Sequence, residues 1–221
     1  ELGFVPVIEA FASGKEPSPA FAVRFEPSAA PPREPHLVAQ IGRRTTNRKP
    51  GTRDMLSDED AGFLRGAAEE RGGRLDLVIG DAGLARVADL LGAADRLRFM
   101  SKVMHRDLVE EIRWTPDEVE RTRDGLDVAT LELSAKDLTG LRLASSLGVM
   151  DLVAKFGGGR SLERPTRRAG ASSSAVALLT VPGGRDSESM FRGGRALQRV
   201  WLAATARGYA FQPMTSLLCL F

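Results

Sequence analysis

Seven consecutive positions, Arg43 to Lys49 in "RRTTNRK", hold four cations and two threonines. In an extended backbone, residues i, i+2 and i+4 point to one side. Arg44, Thr46 and Arg48 have that spacing, so two guanidinium forks and a hydroxyl could surround one phosphate through charge-assisted hydrogen bonds. The same composition also suits a solvated basic turn, and spacing alone leaves both readings open.

Other arrangements that could carry chemistry fail on context. "GASSSAV" puts its serines before a strand, whereas a hydrolase nucleophile in G-x-S-x-G follows one. His105 is followed by Arg106 and Asp107, so H-E-x-x-H is absent. With Cys219, His36 and His105 as the whole Cys/His complement, neither a disulfide framework nor a Cys/His zinc site can be assembled. The glycine runs at 157–159 and 183–184 match no phosphate-loop pattern and read as turns. Glu69/Glu70 and Glu110/Glu111 sit among arginines on helices and read as surface charge balance. Trp114 and Trp201 read as core anchors, and Cys219, among leucines, as an inert buried thiol.

The elements that must position the basic segment follow from periodicity. "FVPVIEAF" and "FAVRFEP" alternate like strands, and "PSAAPPREP" (27–35) is a proline-rich linker. "HLVAQIGRR" starts a short helix at His36. Ser57 and Asp60 form an S-x-x-D cap for the next helix, which Gly72 and Gly73 end. "RLDLVIG" (74–80) alternates as a half-buried strand, and Asp81 is placed as the cap of the helix after it. A further helix is expected over 99–114. Pro116 opens another segment, a short "VATLEL" (128–133) follows, and a helix is expected around 147–156. "SSSAVALLTV" (172–181) is the clearest strand. The longest helix is expected over 189–207, with Gly208 as its C-cap. Helices outnumber strands and no regular βαβ repeat is visible, so the expected class is α+β.

Composition limits the rest. Net charge is +2 with both signs interspersed, which argues against a nucleic-acid binder held mainly by phosphate contacts. No apolar run approaches a membrane span. A cytoplasmic location with neither nucleic-acid nor membrane partners is expected. The start at Glu1 and the apolar close "SLLCLF" suggest part of a longer protein.

Two segments together resemble a known family. "RTTNRKP" (44–50), after a short helix and before a capped one, resembles the Arg-Arg-Ser-x-Arg-x-Phe opening of the nitroreductase family. It is closer to the Arg-x-Thr-Asn-Arg variant of the nitroreductase-like branch of fused-repeat flavoproteins. "GGRALQRVWLAATARGYAFQPMTSL" (193–217) is similar to that family's long core helix and its Gly-x-x-x-x-Pro turn. The resemblance covers roughly 36–221. The chain is also similar to the C-terminal part of architectures with an upstream ubiquitin-activating-like nucleotide-binding domain.

The resemblance implies an α+β nitroreductase-like layered fold, with a mixed or antiparallel central sheet flanked by helices. It implies a division into residues 1–35, the tail of an upstream segment plus linker, and a domain at 36–221, truncated at its C-terminus. It implies FMN bound where two such units meet, in a homodimer or in a pseudo-dimer with a second half. Arg44, Thr46 and Arg48 would hold the FMN phosphate and ribityl chain, with Arg43 and Thr45 nearby. Pro213, Met214, Thr215 and Ser216 would form the turn against the flavin ring, where a backbone N–H faces N5. No catalytic side chain and no metal ligand are implied.

The family's Pro-Ser-x-x-Asn-x-Gln-Pro-Trp segment has no match, since "EERGGRLDLVIG" stands in its place. The family's late phosphate-side arginine is missing as well. The expected activity is hydride transfer from NAD(P)H to FMN and on to a small-molecule acceptor, nitro-aromatic or quinone-like. The alternatives are a flavin-binding but redox-silent storage, sensor or partner-binding domain, with 99–126 as a lid or an ordinary helical pair, and a scaffold that has lost FMN.

Overall fold

The computed structural model describes residues 3–10, 21–29 and 34–218, so the reading of Cys219 lies outside the described residues. The elements run β1 (Phe4–Ala10), β2 (Phe21–Pro27), α1 (Pro35–Val38), α2 (Asp58–Glu69), β3 (Arg74–Val78), α3 (Asp81–Met100) and α4 (Lys102–Glu111). They continue with β4 (Ile112–Arg113), α5 (Pro116–Thr122), β5 (Leu126–Asp127), a 3-10 turn (Val128–Leu131), α6 (Ala135–Ala144) and α7 (Leu147–Lys155). A second 3-10 turn (Arg160–Glu163), α8 (Arg164–Ala171), β6 (Val176–Thr180) and α9 (Ser187–Ala206) complete the order. The class is α+β, and the described strands pair two by two: β1 with β2, β3 with β6, β4 with β5.

Two compact units share the chain: Glu1–Thr46, Ser57–Leu77 and Ala177–Phe211 form one, and Asn47–Leu56, Val78–Val176 and Gln212–Phe221 the other. This division follows packing, whereas the expected boundary after residue 35 rested on the proline-rich linker and on the extent of the family resemblance.

In the first unit α9 carries the core. Ala196, Val200, Trp201, Leu202, Ala203 and Ala204 are buried on it, opposite Ala61, Leu64, Ala67 and Ala68 of α2. Alanines on both faces let the helices approach closely, and each buried side chain adds favourable transfer energy in proportion to its apolar area. The Ser57 hydroxyl accepts the Asp60 N–H at 3.1 Å, which is the cap expected from S-x-x-D. At the far end of α9, Gly208 has φ +80°. The Tyr209 N–H reaches Ala204 O at 2.9 Å and the Gly208 N–H reaches Thr205 O at 3.1 Å. That pair of bonds is a Schellman motif, and it needs a residue free to take positive φ. Gly73, at the entry to β3, is likewise tight: a Cβ there would meet Leu179 at 3.1 Å. β1 and β2 form an antiparallel ribbon with Phe4 opposite Pro27.

In the second unit α3 and α8 pack antiparallel. Gly170 lies against Ala88, Arg167 pairs with Asp89, Thr166 bonds Asp95 and Glu163 pairs with Arg96. A Cβ on Gly170 would stand 3.1 Å from the Ala88 Cβ, so glycine sets the helix spacing. The His105 ring on α4 is buried and its Nε2 donates to Ala144 O at 2.7 Å, as a structural histidine does.

Several expectations are corrected here. The helix expected over 99–114 is α4, shorter at both ends (Lys102–Glu111), while Phe99 and Met100 belong to α3. Ser101 takes an extended ψ of 119° between α3 and α4, and α4 stops at Glu111 before the β4–β5 pair. Asp81 is the first helical residue, and Gly80 is the N-cap. "VATLEL" opens as a 3-10 turn because the Asp127 carboxylate accepts the Ala129 N–H at 2.9 Å. Trp114 is half-buried beside Arg142 and is no core anchor, whereas Trp201 is one.

Candidate functional site

The basic segment begins where α1 ends. The N–H groups of Arg43 and Arg44 both bond Gln40 O, at 3.0 and 2.9 Å, which curls the chain before it extends. Thr46 then pairs with Phe211 in a parallel bridge. Two segments read separately in the sequence as parts of one flavin site therefore touch.

Three planar groups stack beside that bridge. The Arg44 guanidinium lies 4.2 Å from the Trp201 ring centre, and Trp201 stacks on Phe211 at 5.0 Å and 23°. A cation over an indole face contributes about 0.5–2 kcal/mol, more as water is excluded. Arg44 is half-buried, and Arg43 and Thr45 are exposed. Neither Arg43 nor Arg44 has an ion pair or a side-chain hydrogen bond among the described residues. The other key cations of this unit are occupied: Arg199 by Glu34 and Glu70, Arg207 by Glu59 and Asp60. The stack holds Arg44 by its face and leaves its N–H edge without an acceptor.

Phe211 is held by what precedes it. The Tyr209 hydroxyl donates to the Asp60 carboxylate at 2.8 Å, and that carboxylate also accepts the Ser57 hydroxyl. The Tyr209 bond, then the Ser57 bond, keeps the Asp60 carboxyl below its usual range, and the same Tyr209–Asp60 bond raises the tyrosine. One aspartate thus holds the Ser57 cap of α2 and ties down the segment leading to Phe211.

Arg48 departs from the expected fan. Asn47 Oδ1 accepts the Lys49 N–H at 3.1 Å, a side-chain turn that ends the extended run after Thr46. Arg48 lies in the second unit, where its guanidinium donates to Thr130 O at 3.0 Å and its backbone N–H to the Glu132 carboxylate at 3.1 Å. Lys49 completes this cluster with an ion pair to Glu132 at 3.3 Å. The Arg48 N–H is the first cause of the low Glu132 carboxyl, followed by Lys49.

Pro213, Met214, Thr215 and Ser216 also belong to the second unit. Pro213 and Met214 are half-buried, Thr215 is exposed and its carbonyl accepts the Leu218 N–H at 2.9 Å, and Ser216 is buried. The stretch 99–126 is well anchored: Arg113 bonds Asp124 at 2.6 Å and Thr122 at 3.0 Å while β4 pairs with β5. Among the described residues no group of three His, Cys, Asp or Glu could hold a metal ion. None of their helices is long and apolar enough to cross a membrane.

The sequence marks Trp201 as core alone and Asp60 only as part of a helix cap, and it does not show the roles of Phe211 and Tyr209. The aromatic pair in "GYAF" was the available signal, but its partner face is formed by residues far away in the chain.

Comparison with known proteins adds one relative. The uncharacterized protein MT1398 of Mycobacterium tuberculosis (strain CDC 1551 / Oshkosh) is 33% identical over 190 residues, which is 86% of this chain and 26% of that protein. The chain therefore spans about a quarter of the length of this relative. No family model matches the chain, and no solved structure matches it.

Proposed function

We propose that the chain forms the phosphate-holding side of a nitroreductase-like FMN site and serves an FMN-dependent oxidoreductase. The observation that carries this reading is the Thr46–Phe211 bridge. It brings together the two segments whose resemblance to flavin-binding segments was independent of any structure. The residues fit an anionic cofactor: the guanidinium groups of Arg43 and Arg44 have no acceptor among the described residues, and Thr45 and Thr46 add hydroxyls beside them. Arg44, fixed on Trp201, is pre-oriented, which lowers the entropy lost when its fork meets a phosphate. Arg48, engaged by Thr130, is withdrawn from the phosphate in this reading.

The layered nitroreductase-like fold is part of the same proposal. Its support is the packing of α2 and α9 next to the β3–β6 pair, where Gly73 meets Leu179 and Gly193 meets Val181. FMN, when bound, would supply the hydride chemistry, taking a hydride from NAD(P)H and passing electrons to a nitro-aromatic or quinone-like acceptor. The residues of this chain hold and orient the cofactor and exclude water. A second half or subunit supplies the Asn/Gln segment that the chain lacks.

The test is flavin retention. The purified chain, incubated with FMN and desalted, should stay yellow, and Arg43→Ala with Arg44→Ala should remove the colour while helical circular dichroism is unchanged. Anaerobic NAD(P)H should then bleach the loaded protein. A yellow protein that resists bleaching is the redox-silent storage or sensor domain. A colourless wild type, or a double variant as yellow as wild type, refutes the site.

A further inference from the structure

One face of α8 is fully engaged and another carries unmatched charge. Glu163, Thr166, Arg167 and Gly170 follow the i, i+3, i+4, i+7 pattern and meet α3 through Arg96, Asp95, Asp89 and Ala88. Arg164 and Arg168 stand one turn apart outside that face, and Arg160 sits on the 3-10 turn immediately before; all three are exposed. None has an ion pair or a side-chain hydrogen bond among the described residues. The nearest carboxylate in sequence, Glu163, is already held by Arg96.

Like charges at i, i+4 repel, and Arg164 in the first turn faces the positive end of the α8 dipole, although Glu163 at the N-cap and Arg168 in the last turn suit that dipole. In a chain with 31 basic and 29 acidic residues, such a one-signed stripe is a local concentration and no reflection of overall charge.

An apolar pair adjoins it. Phe156 is 82% exposed and Leu152 57% exposed, one turn apart at the end of α7 with Lys155 between them. Only the three glycines 157–159 separate Phe156 from Arg160, so four residues of chain keep them within about 14 Å of one another. A large exposed aromatic beside unpaired arginines suits a boundary that is apolar on one side and anionic on the other.

We infer that this part of the second unit docks on an anionic lipid surface. Phe156 and Leu152 enter the headgroup boundary, while Lys155, Arg160, Arg164 and Arg168 meet the phosphate and carboxylate groups of the lipids. Arginine forks suit those oxyanions. A nucleic acid fits less well: Phe156 could stack on a base, but the exposed side chain one turn before it is the aliphatic Leu152, which suits an acyl boundary and offers no face for stacking. The contact is peripheral and needs no spanning helix. The earlier expectation of no membrane partner rested on the lack of an apolar run of spanning length, which does not bear on a surface contact.

The test is flotation of the chain with vesicles of phosphatidylcholine, with and without phosphatidylserine. Binding is expected with phosphatidylserine alone, weakening as salt rises. Each of Arg160→Gln, Arg164→Gln and Arg168→Gln should lower affinity about fivefold, and the triple variant should not float. Phe156→Ser should weaken binding without changing its salt dependence. All these positions are exposed, and circular dichroism checks that the fold is kept. Equal binding to both vesicles, binding to neither, or a triple variant that floats like wild type overturns the inference. So does displacement from the vesicles by a single-stranded oligonucleotide, which would assign the stripe to nucleic acid.

Discussion

Replacing Arg199 by methionine removes a single guanidinium that joins three parts of the first unit. Arg199 on α9 is 8% exposed and donates to Glu34, just ahead of α1, and to Glu70, the C-cap of α2. Without it, Glu34 keeps its charge at only 27% exposure. Removing one partner of a buried ion pair costs about 3–5 kcal/mol, but Glu34 is partly solvated and Glu70 mostly so. Allowing for that solvation, a loss of about 2 kcal/mol is expected for Arg199→Met.

The pH dependence carries a sign. The Glu34 carboxyl is held below its ordinary value of 4.5, first by the Arg199 hydrogen bonds, against burial, which pushes it up. A carboxyl lowered in the folded state stabilises fully above its ordinary value, and that stability is lost as pH falls through the folded value. The Arg199→Met deficit should therefore be full at neutral pH and shrink below the ordinary carboxylate range. Adding Glu34→Met should recover more than half of it, because the stranded charge is gone. Urea unfolding followed by circular dichroism, at neutral and acidic pH, measures all of these. An unchanged midpoint for Arg199→Met, or a double variant no better than the single, refutes the reasoning.

Two further outcomes test local geometry. Gly170→Val places side-chain atoms against Ala88 at the α3–α8 contact and should cost about 2 kcal/mol in urea unfolding; a neutral result means the helices separate freely there. Asp186 caps α9, and the Ser189 N–H and then its hydroxyl lower its carboxyl to about 2. The stability this contributes is present above the ordinary 3.8 and lost as pH falls toward the folded value, so Asp186→Asn should flatten that part of an acid titration followed by helical ellipticity.

Local signals were legible in the sequence wherever the physics is local. Ser57 with Asp60 and Gly208 after α9 involve partners within a few positions, and they read correctly; the strand expected over 172–181 forms as β6 but only over Val176–Thr180, legible from its own apolar β-branched run although its partner β3 is distant in the chain. Two helices, α6 and α8, were missed for reasons that are also physical. α6 has a Ser134–Asp137 cap, at 3.2 Å, that marks its start. Its only buried residue is Ala144, so no apolar stripe marks its course. α8 packs through glycine, threonine and charged side chains, which periodicity of apolar residues cannot detect.

The basic segment shows the limit most clearly. From "RRTTNRK" alone one can say that it is cationic, hydroxyl-bearing and preceded by a short helix. Arg44 and Arg48 are equivalent in that motif, yet one rests on Trp201 with its N–H edge open and the other is bonded to Thr130. Their fates depend on partners 157 (201 − 44) and 82 positions further along. Composition and spacing set which chemistry a segment could perform. Whether a given side chain is left to perform it depends on what the folded chain packs against it, because a guanidinium whose donors are satisfied internally has none to offer a ligand.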